Sequence, residues 1–381
     1  MLKYLRLYGT ILRTFGFRLR PLVTFFMKCL HSLFSRTSRG ADHLFFPAIR
    51  KARIDRPIFI LGNPRSGTTF MHRFLLRTGT PCAFELWEML FPAITARRLL
   101  HRAVDRLAPF SPGRYHSGDA HEAGLRDVET DDAMVFLHMV EGGFLWSYFL
   151  AWEDTWGSDL CRRYFFETGE RALPEQDRMF RFLEACWRRN LVYKNRGRLV
   201  AKSSLFSLRP EELIRRYPDC RIVYMVRDPL EAIPSGASLL TGVLSRSYDV
   251  FNATSPDRRA RWMENLYQAS CRMYGAFHES WKAGRIPEAN LRIVTYPQIM
   301  QDLSGTMARL LPFLEIEPVP EFLDELDKQD RIQKTRKSPH EYDLARFGLD
   351  AERIRKDLDW VYRDYGLAGI TGRAAAPLPP D

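Results

Sequence analysis

A glycine-bounded loop follows the first strongly apolar run of the sequence and carries the groups needed to hold a phosphate. The run Ile58–Leu61 leads into GNPRSGTT (Gly62–Thr69), and a helix is predicted from about Phe70. The frame is that of a nucleotide phosphate loop, but Thr68 stands where the lysine serving the β- and γ-phosphates of a nucleoside triphosphate would be. Backbone N–H groups at a helix start still suit one phosphate, and Arg65 supplies a cation. The loop therefore predicts a phosphate site unlike that of an ATPase or a kinase.

A second motif, RIVYMVRDPLEAIPS (Arg221–Ser235), predicts another phosphate site. An apolar strand ends at Arg227, an Asp-Pro turn follows, and Ser235 comes eight residues after the arginine. A planar guanidinium at the carboxyl end of a strand suits an isolated phosphate, and a hydroxyl on the next helix completes the contact. The alternative is a surface ion pair between Arg227 and the neighbouring aspartate.

Together the two motifs resemble those of the sulfotransferases that use 3′-phosphoadenosine 5′-phosphosulfate (PAPS). Asn63–Phe70 (NPRSGTTF) is similar to the family's 5′-phosphosulfate loop, in the bacterial and Golgi-like branches with arginine at this place. The spacing of Arg227 and Ser235 is similar to that of the family's 3′-phosphate motif. Weaker matches extend from about Pro57 to Leu367. The resemblance implies PAPS as the donor, no metal, and a 5′-phosphosulfate site formed by Arg65, Ser66, Gly67, Thr68 and Thr69.

Other donor-site residues follow from the same resemblance. Lys202, at the end of a short apolar run, stands where the family's lysine reaches the sulfuryl group, so Lys202 and Arg65 would stabilise the charge that develops during transfer. Tyr296 would contact the adenosine. Arg336 and Lys337 lie where a C-terminal basic loop would close over the 3′-phosphate, although the glycine pattern of the cytosolic branch is missing there.

The residue that accepts the acceptor's proton departs from the cytosolic pattern. Cytosolic members carry a catalytic histidine two residues after the lysine, and here that position is Ser204. Golgi and bacterial members place a catalytic glutamate about twenty residues after the basic residue of the loop, as Glu85 is after Arg65. We therefore expect Glu85 to be the general base. Glu88 and His121 are the alternatives.

No resident metal is predicted from the spacing of potential ligands. The six cysteines are scattered, without a C-x-x-C pair, and are typical of buried core thiols. The acidic run formed by Glu129, Asp131 and Asp132 is interpreted as a solvated helix start rather than a metal site.

The remaining pattern predicts an α/β fold, in which a parallel sheet of the phosphate-loop type is flanked by helices. Short apolar runs typical of buried parallel strands recur along the chain, separated by segments with helical spacing of apolar residues. Beyond the first run they are Leu199–Ala201, Ile222–Val226 and Leu291–Val294. Residues 57–367 would form the catalytic domain, with a helical, aromatic-rich insertion at about 85–190 that covers the site. Residues 372–381 have the composition of a disordered tail.

The N-terminal segment, residues 1–50, is predicted to be basic and amphipathic. Of the chain's net charge of +11, residues 1–56 account for +10, which favours a basic segment on a neutral enzyme over a nucleic-acid-binding domain. Pro21–Phe34 is apolar but is interrupted by Lys28 and His31 and is shorter than the about twenty residues of a spanning helix. We expect residues 1–40 to lie on a membrane surface. A helix packed on the same protein, or a true span, is the alternative.

The expected activity is sulfuryl transfer from PAPS to a hydroxyl, by a cytoplasmic enzyme that associates peripherally with a membrane. The aromatic-rich insertion favours an apolar acceptor such as a lipid or sterol-like alcohol, with a saccharide or a peptide tyrosine as alternatives. One rival interpretation is a small-molecule kinase of the phosphate-loop class, which the missing lysine disfavours. The other is a nonenzymatic scaffold recruited to membranes, which the complete set of predicted site residues disfavours.

Overall fold

A four-stranded parallel sheet forms the centre of the protein. Its strands are β1 (Ile58–Gly62), β2 (Val200–Lys202), β3 (Arg221–Val226) and β4 (Leu291–Thr295), in the order β2-β1-β3-β4. All four coincide with the apolar runs predicted as strands, within one residue at each end. Continuous apolar runs form such strands because both faces of a parallel sheet are covered. The predicted fold class is therefore confirmed.

The structure is a computed structural model that describes residues 2–17, 19–108, 124–128, 131–139, 173–248, 254–335 and 344–367. The helices of the first half, in chain order, are α1 (Leu2–Phe15), α2 (Leu19–Phe45), α3 (Ala48–Lys51), α4 (Thr68–Leu76), α5 (Leu86–Leu90), α6 (Ile94–Leu107) and α7 (Leu173–Lys194). Those of the second half are α8 (Pro210–Arg216), α9 (Pro229–Tyr248), α10 (Pro256–Lys282), α11 (Tyr296–Gln301), α12 (Leu303–Leu314), α13 (Pro320–Thr335), α14 (Ala351–Asp357) and α15 (Asp359–Asp364). Short 3-10 helices include Asp132–His138 and Ser204–Leu208.

Helices cover both faces of the sheet and produce two apolar cores. Phe59 of β1 packs on one side, in a core that includes Trp187 of α7. Ile60, the next residue, belongs to the core on the other side, together with Phe74 of α4 and Met307 of α12. Successive residues of a strand point to opposite faces, so one apolar strand supplies both layers.

The chain order places the site at one edge of the sheet. From β1 the chain returns to the sheet on one side, as β2, and from β2 it crosses to the other side, as β3. Open parallel sheets bind ligands in the crevice at such a reversal, outside the carboxyl ends of the strands. The predicted phosphate loop, Lys202, Arg227 and Tyr296 all come at or just after the carboxyl ends of the four strands.

The described parts of the predicted insertion at 85–190 are mostly helical, apart from a turn within residues 124–128. They comprise α5, α6, the 3-10 helix Asp132–His138 and α7, while residues 109–123, 129–130 and 140–172 lie outside the described residues. The prediction that its acidic run is a solvated helix start is wrong for Asp132. Asp131 does cap the 3-10 helix, but Asp132 is completely buried and accepts a hydrogen bond from Trp187 Nε1 at 2.7 Å. The predicted tail, 372–381, also lies outside the described residues.

The N-terminal segment forms helices that pack on the body of the protein. In α1, Phe15 contacts Trp262 of α10, with ring centroids 5.8 Å apart, and Tyr8 contacts Phe25 of α2 at 5.2 Å. Helix α2 runs against α6. In the described part of the chain, no helix is long and apolar enough to cross a membrane. The packed helix, an alternative at the sequence level, is therefore present, and contact with a membrane surface stays a prediction.

Candidate functional site

The phosphate loop joins β1 to α4 through two positions that require glycine. Gly62 has φ +137°, and a Cβ there would overlap the carbonyl oxygen of Met225 on the neighbouring strand. Gly67 has φ +89° and caps α4, and a Cβ there would lie 3.1 Å from Cδ2 of Tyr296. Glycine is the residue that adopts such backbone angles at no steric cost. The turn therefore directs the first N–H groups of α4, which have no partner within the helix, towards the carboxyl edge of the sheet.

Arg65 connects the phosphate loop to the second predicted motif. Its Nε donates a hydrogen bond to Oγ of Ser235 at 2.9 Å, and its backbone oxygen accepts one from Nη1 of Arg227 at 3.0 Å. Arg65 has φ +73°, a left-handed conformation that side-chain-bearing residues rarely adopt. The surrounding structure must hold Arg65 in this conformation. The two hydrogen bonds therefore join motifs that are far apart in sequence into one site.

Arg227 lies between an acidic side chain and an aromatic ring. Its Nε donates to Oε2 of Glu231 at 2.8 Å, and its guanidinium carbon lies 4.3 Å from the centre of the Tyr296 ring. The side chain of Glu231 is half exposed, so this ion pair is open to water. Tyr296 thus lies against Arg227 and beside Gly67 of the phosphate loop, and its contact with a nucleotide stays a prediction.

Lys202 reaches the phosphate loop from β2. It pairs in register with Ile60 of β1, and its Nζ donates a hydrogen bond to Oγ1 of Thr69 at 2.9 Å. Lys202 is almost completely buried. Burial, and then the positive charge of Lys202, lower the pKa of the buried His72 of α4 to about 3, so His72 is neutral at physiological pH. The structure therefore brings together Arg65, Gly67, Thr69, Lys202, Arg227, Ser235 and Tyr296.

Glu85 comes three residues after Cys82, which forms an isolated parallel bridge with Leu199 at the outer edge of the sheet. It caps helix α5, and its carboxylate accepts hydrogen bonds from Trp87 Nε1 at 2.8 Å and from Arg126 Nη1 at 2.9 Å. Lys194 Nζ lies 3.4 Å from its Oε1. Burial alone would raise the pKa of Glu85, but Lys194, Arg126 and Trp87 together hold it below its ordinary value. Among the described residues, none of its hydrogen-bond or ion-pair partners belongs to the phosphate loop.

Glu88, the alternative base, is buried in the same network. Its Oε2 accepts a hydrogen bond from the Glu85 backbone N–H at 2.7 Å and lies 2.9 Å from Nζ of Lys194. These contacts close a capping box at the start of α5, in which each glutamate bonds the other's backbone. The other alternative, His121, and the predicted nucleotide contacts Arg336 and Lys337 lie outside the described residues.

A carboxylate that sequence reasoning assigned only to a helix start, Asp131, lies at the end of β2. Its Oδ2 accepts a hydrogen bond from the backbone N–H of Ser204 at 2.7 Å, two residues beyond Lys202. The contact joins residues 73 apart in the chain, so no local pattern signals it. The adjacent Asp132 has a pKa of about 8: burial raises it, the hydrogen bond from Trp187 partly opposes this, and the charge of Asp131 adds to it.

Two further side chains that sequence reasoning missed hold the site in shape. The backbone N–H of Gly62 donates to Oγ of Ser207 at 2.9 Å, and the hydroxyl of Tyr274 donates to the backbone oxygen of Arg227 at 2.9 Å. Both lie in segments whose apolar neighbours predict only core packing. Across the described ranges, no three His, Cys, Asp or Glu side chains are grouped so that they could hold a metal ion.

Solved structures with the same fold are sulfotransferases. Sulfotransferase STF9 from Mycobacterium avium superposes with a TM-score of 0.67 at 17% identity, over 89% of this chain and 83% of that one. Sulfotransferase STF1 from Mycobacterium tuberculosis H37Rv gives a TM-score of 0.61 at 17% identity, over 93% of this chain and 91% of that one. At such identities the likeness concerns the fold.

The sequence itself identifies the family. Residues 57–321, which include the phosphate loop, Lys202, Arg227 and Tyr296, match the profile of the Sulfotransferase family. No curated protein sequence is significantly similar to the chain. The protein belongs to the sulfotransferase family, as its two phosphate motifs predict.

Proposed function

We propose that the protein transfers a sulfuryl group from PAPS to a hydroxyl acceptor. The observation that carries this proposal is the direct contact between the two motifs, in which Arg227 and Ser235 both bond Arg65. A donor with a 5′-phosphosulfate and a 3′-phosphate needs two anion sites at a fixed separation, here both at the carboxyl ends of the strands. An ordinary nucleoside triphosphate needs only one, together with the lysine that is missing at Thr68.

The polar groups at the edge suit such a donor. The first N–H groups of α4, at Thr68 and Thr69, together with the Thr69 hydroxyl, would hold the 5′-phosphate. The buried Oγ of Ser203, next to Lys202, has no hydrogen-bond partner among the described residues and is a further group that a bound anion could satisfy.

Each cation would act where charge develops. Arg65 and Lys202 would stabilise the transferring sulfuryl group and the bridging oxygen, because preorganised donors in a water-poor site stabilise developing charge strongly. Arg227 and Ser235 would bind the 3′-phosphate, and Tyr296 the adenosine. Arg336 and Lys337 would close over the 3′-phosphate.

We propose Glu85 as the proton acceptor, on its distance of twenty residues from Arg65 and on its ionised state. Its lowered pKa leaves it charged at neutral pH, as a base must be, but also makes it a weak base. Asp131 is a second carboxylate with a specific observation in its favour. It bonds the backbone of Ser204, the position at which cytosolic relatives carry their catalytic histidine.

The acceptor that we propose is an apolar alcohol such as a lipid. Two of the insertion's aromatic residues, Trp87 and Phe136, are completely buried and belong to the core rather than to an acceptor pocket. The support therefore comes from the aromatic residues clustered at 144–156, outside the described residues, and from the composition of the N-terminal helices.

The decisive test incubates the purified protein with radiolabelled PAPS and separate lipid and polar extracts, and then identifies acceptors by their mass increase of one SO₃. We expect a labelled product from the lipid extract, with release of adenosine 3′,5′-bisphosphate and without added metal. ATP with Mg²⁺ serves as the control donor. Phosphate transfer from ATP in place of sulfuryl transfer would show that the kinase interpretation is correct. A product from the polar extract alone would show that the acceptor is polar and not a lipid.

A further inference from the structure

Helix α2 turns an apolar face towards solvent. Over its first four turns, six large apolar side chains are between 51% and 69% exposed: Leu19, Val23, Phe26, Met27, Leu30 and Leu33. At 100° per residue they fall within an arc of about 120°, and they extend along about 21 Å of the helix. We call them the α2 stripe. Contiguous apolar surface of this kind on a soluble protein marks a site of interaction.

The side of α2 away from the stripe packs on the body of the protein and carries buried polar groups beside Phe25. Asp42 is completely buried. Its carboxylate accepts hydrogen bonds from the backbone N–H groups of Ile94, at 3.1 Å, and Thr95, at 2.8 Å, at the start of α6. The same carboxylate pairs with the buried Arg189 of α7 at 2.8 Å. Nearer the stripe, His31 Nε2 lies 2.7 Å from the backbone oxygen of Leu90.

These contacts fix the rotation of the helix. Rolling α2 to bury its stripe would break the Asp42–Arg189 pair and leave two charges buried without partners, which is strongly unfavourable. It would also remove the carboxylate that satisfies the first N–H groups of α6. The outward apolar face is therefore a stable feature of the described fold, and none of the described residues covers it.

Charge selects among the candidate covers. The segment of residues 1–56 carries +10. Arg6 and Arg13 on α1, which packs against α2, and Arg36, three residues beyond the stripe on α2, are exposed. A second copy would bring an equal positive charge against the first, which like-charge repulsion disfavours. A surface with apolar depth and negative charge complements both properties.

We propose that the α2 stripe inserts into the interfacial layer of an anionic lipid bilayer, with α2 parallel to the membrane plane and the neighbouring arginines at the lipid headgroups. Helices of this type sink their apolar side to the boundary between headgroups and acyl chains, and basic residues add attraction to anionic lipid. The stripe and the positive charge around it support this insertion, which does not depend on sulfuryl transfer. It also goes beyond the basic charge of the segment, because it names the face that enters the bilayer.

The test measures flotation of the 381-residue protein with phosphatidylcholine vesicles, with and without phosphatidylglycerol. We expect binding to the anionic vesicles, weakened but not abolished by high salt because the apolar contribution is not screened. Replacing two exposed residues, Phe26→Gln with Leu30→Gln, should reduce partitioning by about tenfold or more. A second pair on the same face, Val23→Gln with Met27→Gln, should do the same.

The matched control is Leu323→Gln with Ile332→Gln on α13, two apolar side chains that are also exposed, at 52% and 42%. This pair should bind vesicles as the unmodified protein does. Equal binding by the stripe variants, or no binding by the unmodified protein, would overturn the proposal. So would a lipid-free dimer, seen by sedimentation, that the stripe variants dissociate, because a second copy would then be the cover.

Discussion

Replacing Arg227 with alanine tests whether the two phosphate motifs form one donor site. The substitution removes the bond to the Arg65 backbone oxygen and the ion pair with Glu231. Because Glu231 is half exposed, that ion pair contributes only about 0–1 kcal/mol, and its loss hardly affects the unliganded protein. The larger loss falls on the nucleotide complex, in which Arg227 would bind the 3′-phosphate.

The expected magnitude follows from the kind of bond. A hydrogen bond that involves a charged group contributes about 1.5–3 kcal/mol, which applies both to the bond with the 3′-phosphate and to the bond from the Arg227 guanidinium to the Arg65 carbonyl. At about 1.4 kcal/mol per factor of ten, the first effect weakens binding of adenosine 3′,5′-bisphosphate by about tenfold to 150-fold. The second effect acts on the loop, so the part of it that reaches the nucleotide weakens adenosine 3′,5′-bisphosphate and AMP alike.

Calorimetry with two nucleotides separates these effects. For Arg227→Ala, affinity for adenosine 3′,5′-bisphosphate should fall much more than affinity for AMP, which lacks the 3′-phosphate. Arg272→Ala is the matched control, because Arg272 of α10 forms an exposed pair with Glu279 at 3.1 Å and should leave both affinities unchanged. If Arg227→Ala weakened both nucleotides equally, Arg227 would act only by shaping the loop around Arg65, and the 3′-phosphate assignment would be wrong.

Four further substitutions test the chemistry and the local electrostatics. Lys202→Ala should lower kcat by about 10²–10³, the usual loss for a group that stabilises developing charge. Near-normal turnover would show that Lys202 does not contact the sulfuryl group. Glu85→Gln should nearly abolish turnover while nucleotide affinity, measured by calorimetry, is kept; if Asp131→Asn loses turnover instead, the base lies at the end of β2. Asp132 keeps its proton in the native state up to a pKa of about 8, whereas the unfolded chain releases it near the ordinary value of 3.8, so the free energy of unfolding should fall as pH rises through this window. In Asp132→Asn, which retains an acceptor for Trp187, thermal melts should show a smaller decline between about pH 5 and pH 8; an unchanged decline would contradict the assignment.

The sheet could be predicted from the sequence because its strands are locally encoded. Each is a continuous apolar run, and such runs have few other stable solutions than a strand with both faces buried. The turn at Gly62 and Gly67 is encoded as well, since both positions have backbone angles that favour glycine. These local signals were sufficient for the fold class, for the phosphate loop and for the family.

Contacts between segments that are distant in sequence could not be predicted from local patterns. Ser235 was predicted to share a phosphate with Arg227, and in the structure its hydroxyl accepts a hydrogen bond from Arg65. Asp132 was predicted to be solvated because acidic residues usually are, and no sequence pattern marks the tryptophan that covers it. For α2, spacing indicates an amphipathic helix but not which face turns inward. The buried pairing of Asp42 with Arg189 decides that, 147 residues away.

The charged residues of the proposed anion site differ from Glu85 in the partners that they contact. In the described part of the chain, the side chain of Arg65 donates to a neutral hydroxyl, and Arg227 shares its charge only with a half-exposed carboxylate and an aromatic ring. Their positive charge would therefore be available to a bound anion. The bond from Arg227 to the Arg65 backbone oxygen and the bond from Arg65 to Ser235 hold both arginines in place beforehand, which reduces the cost of reorganisation. Glu85 is the opposite case, because Arg126 and Lys194 already balance its charge. A carboxylate that is so well stabilised as an anion is a weak base. Substitutions that remove Arg126 or Lys194 should therefore raise the pKa of Glu85. If Glu85 is the proton acceptor, they should also shift the pH dependence of turnover to higher pH.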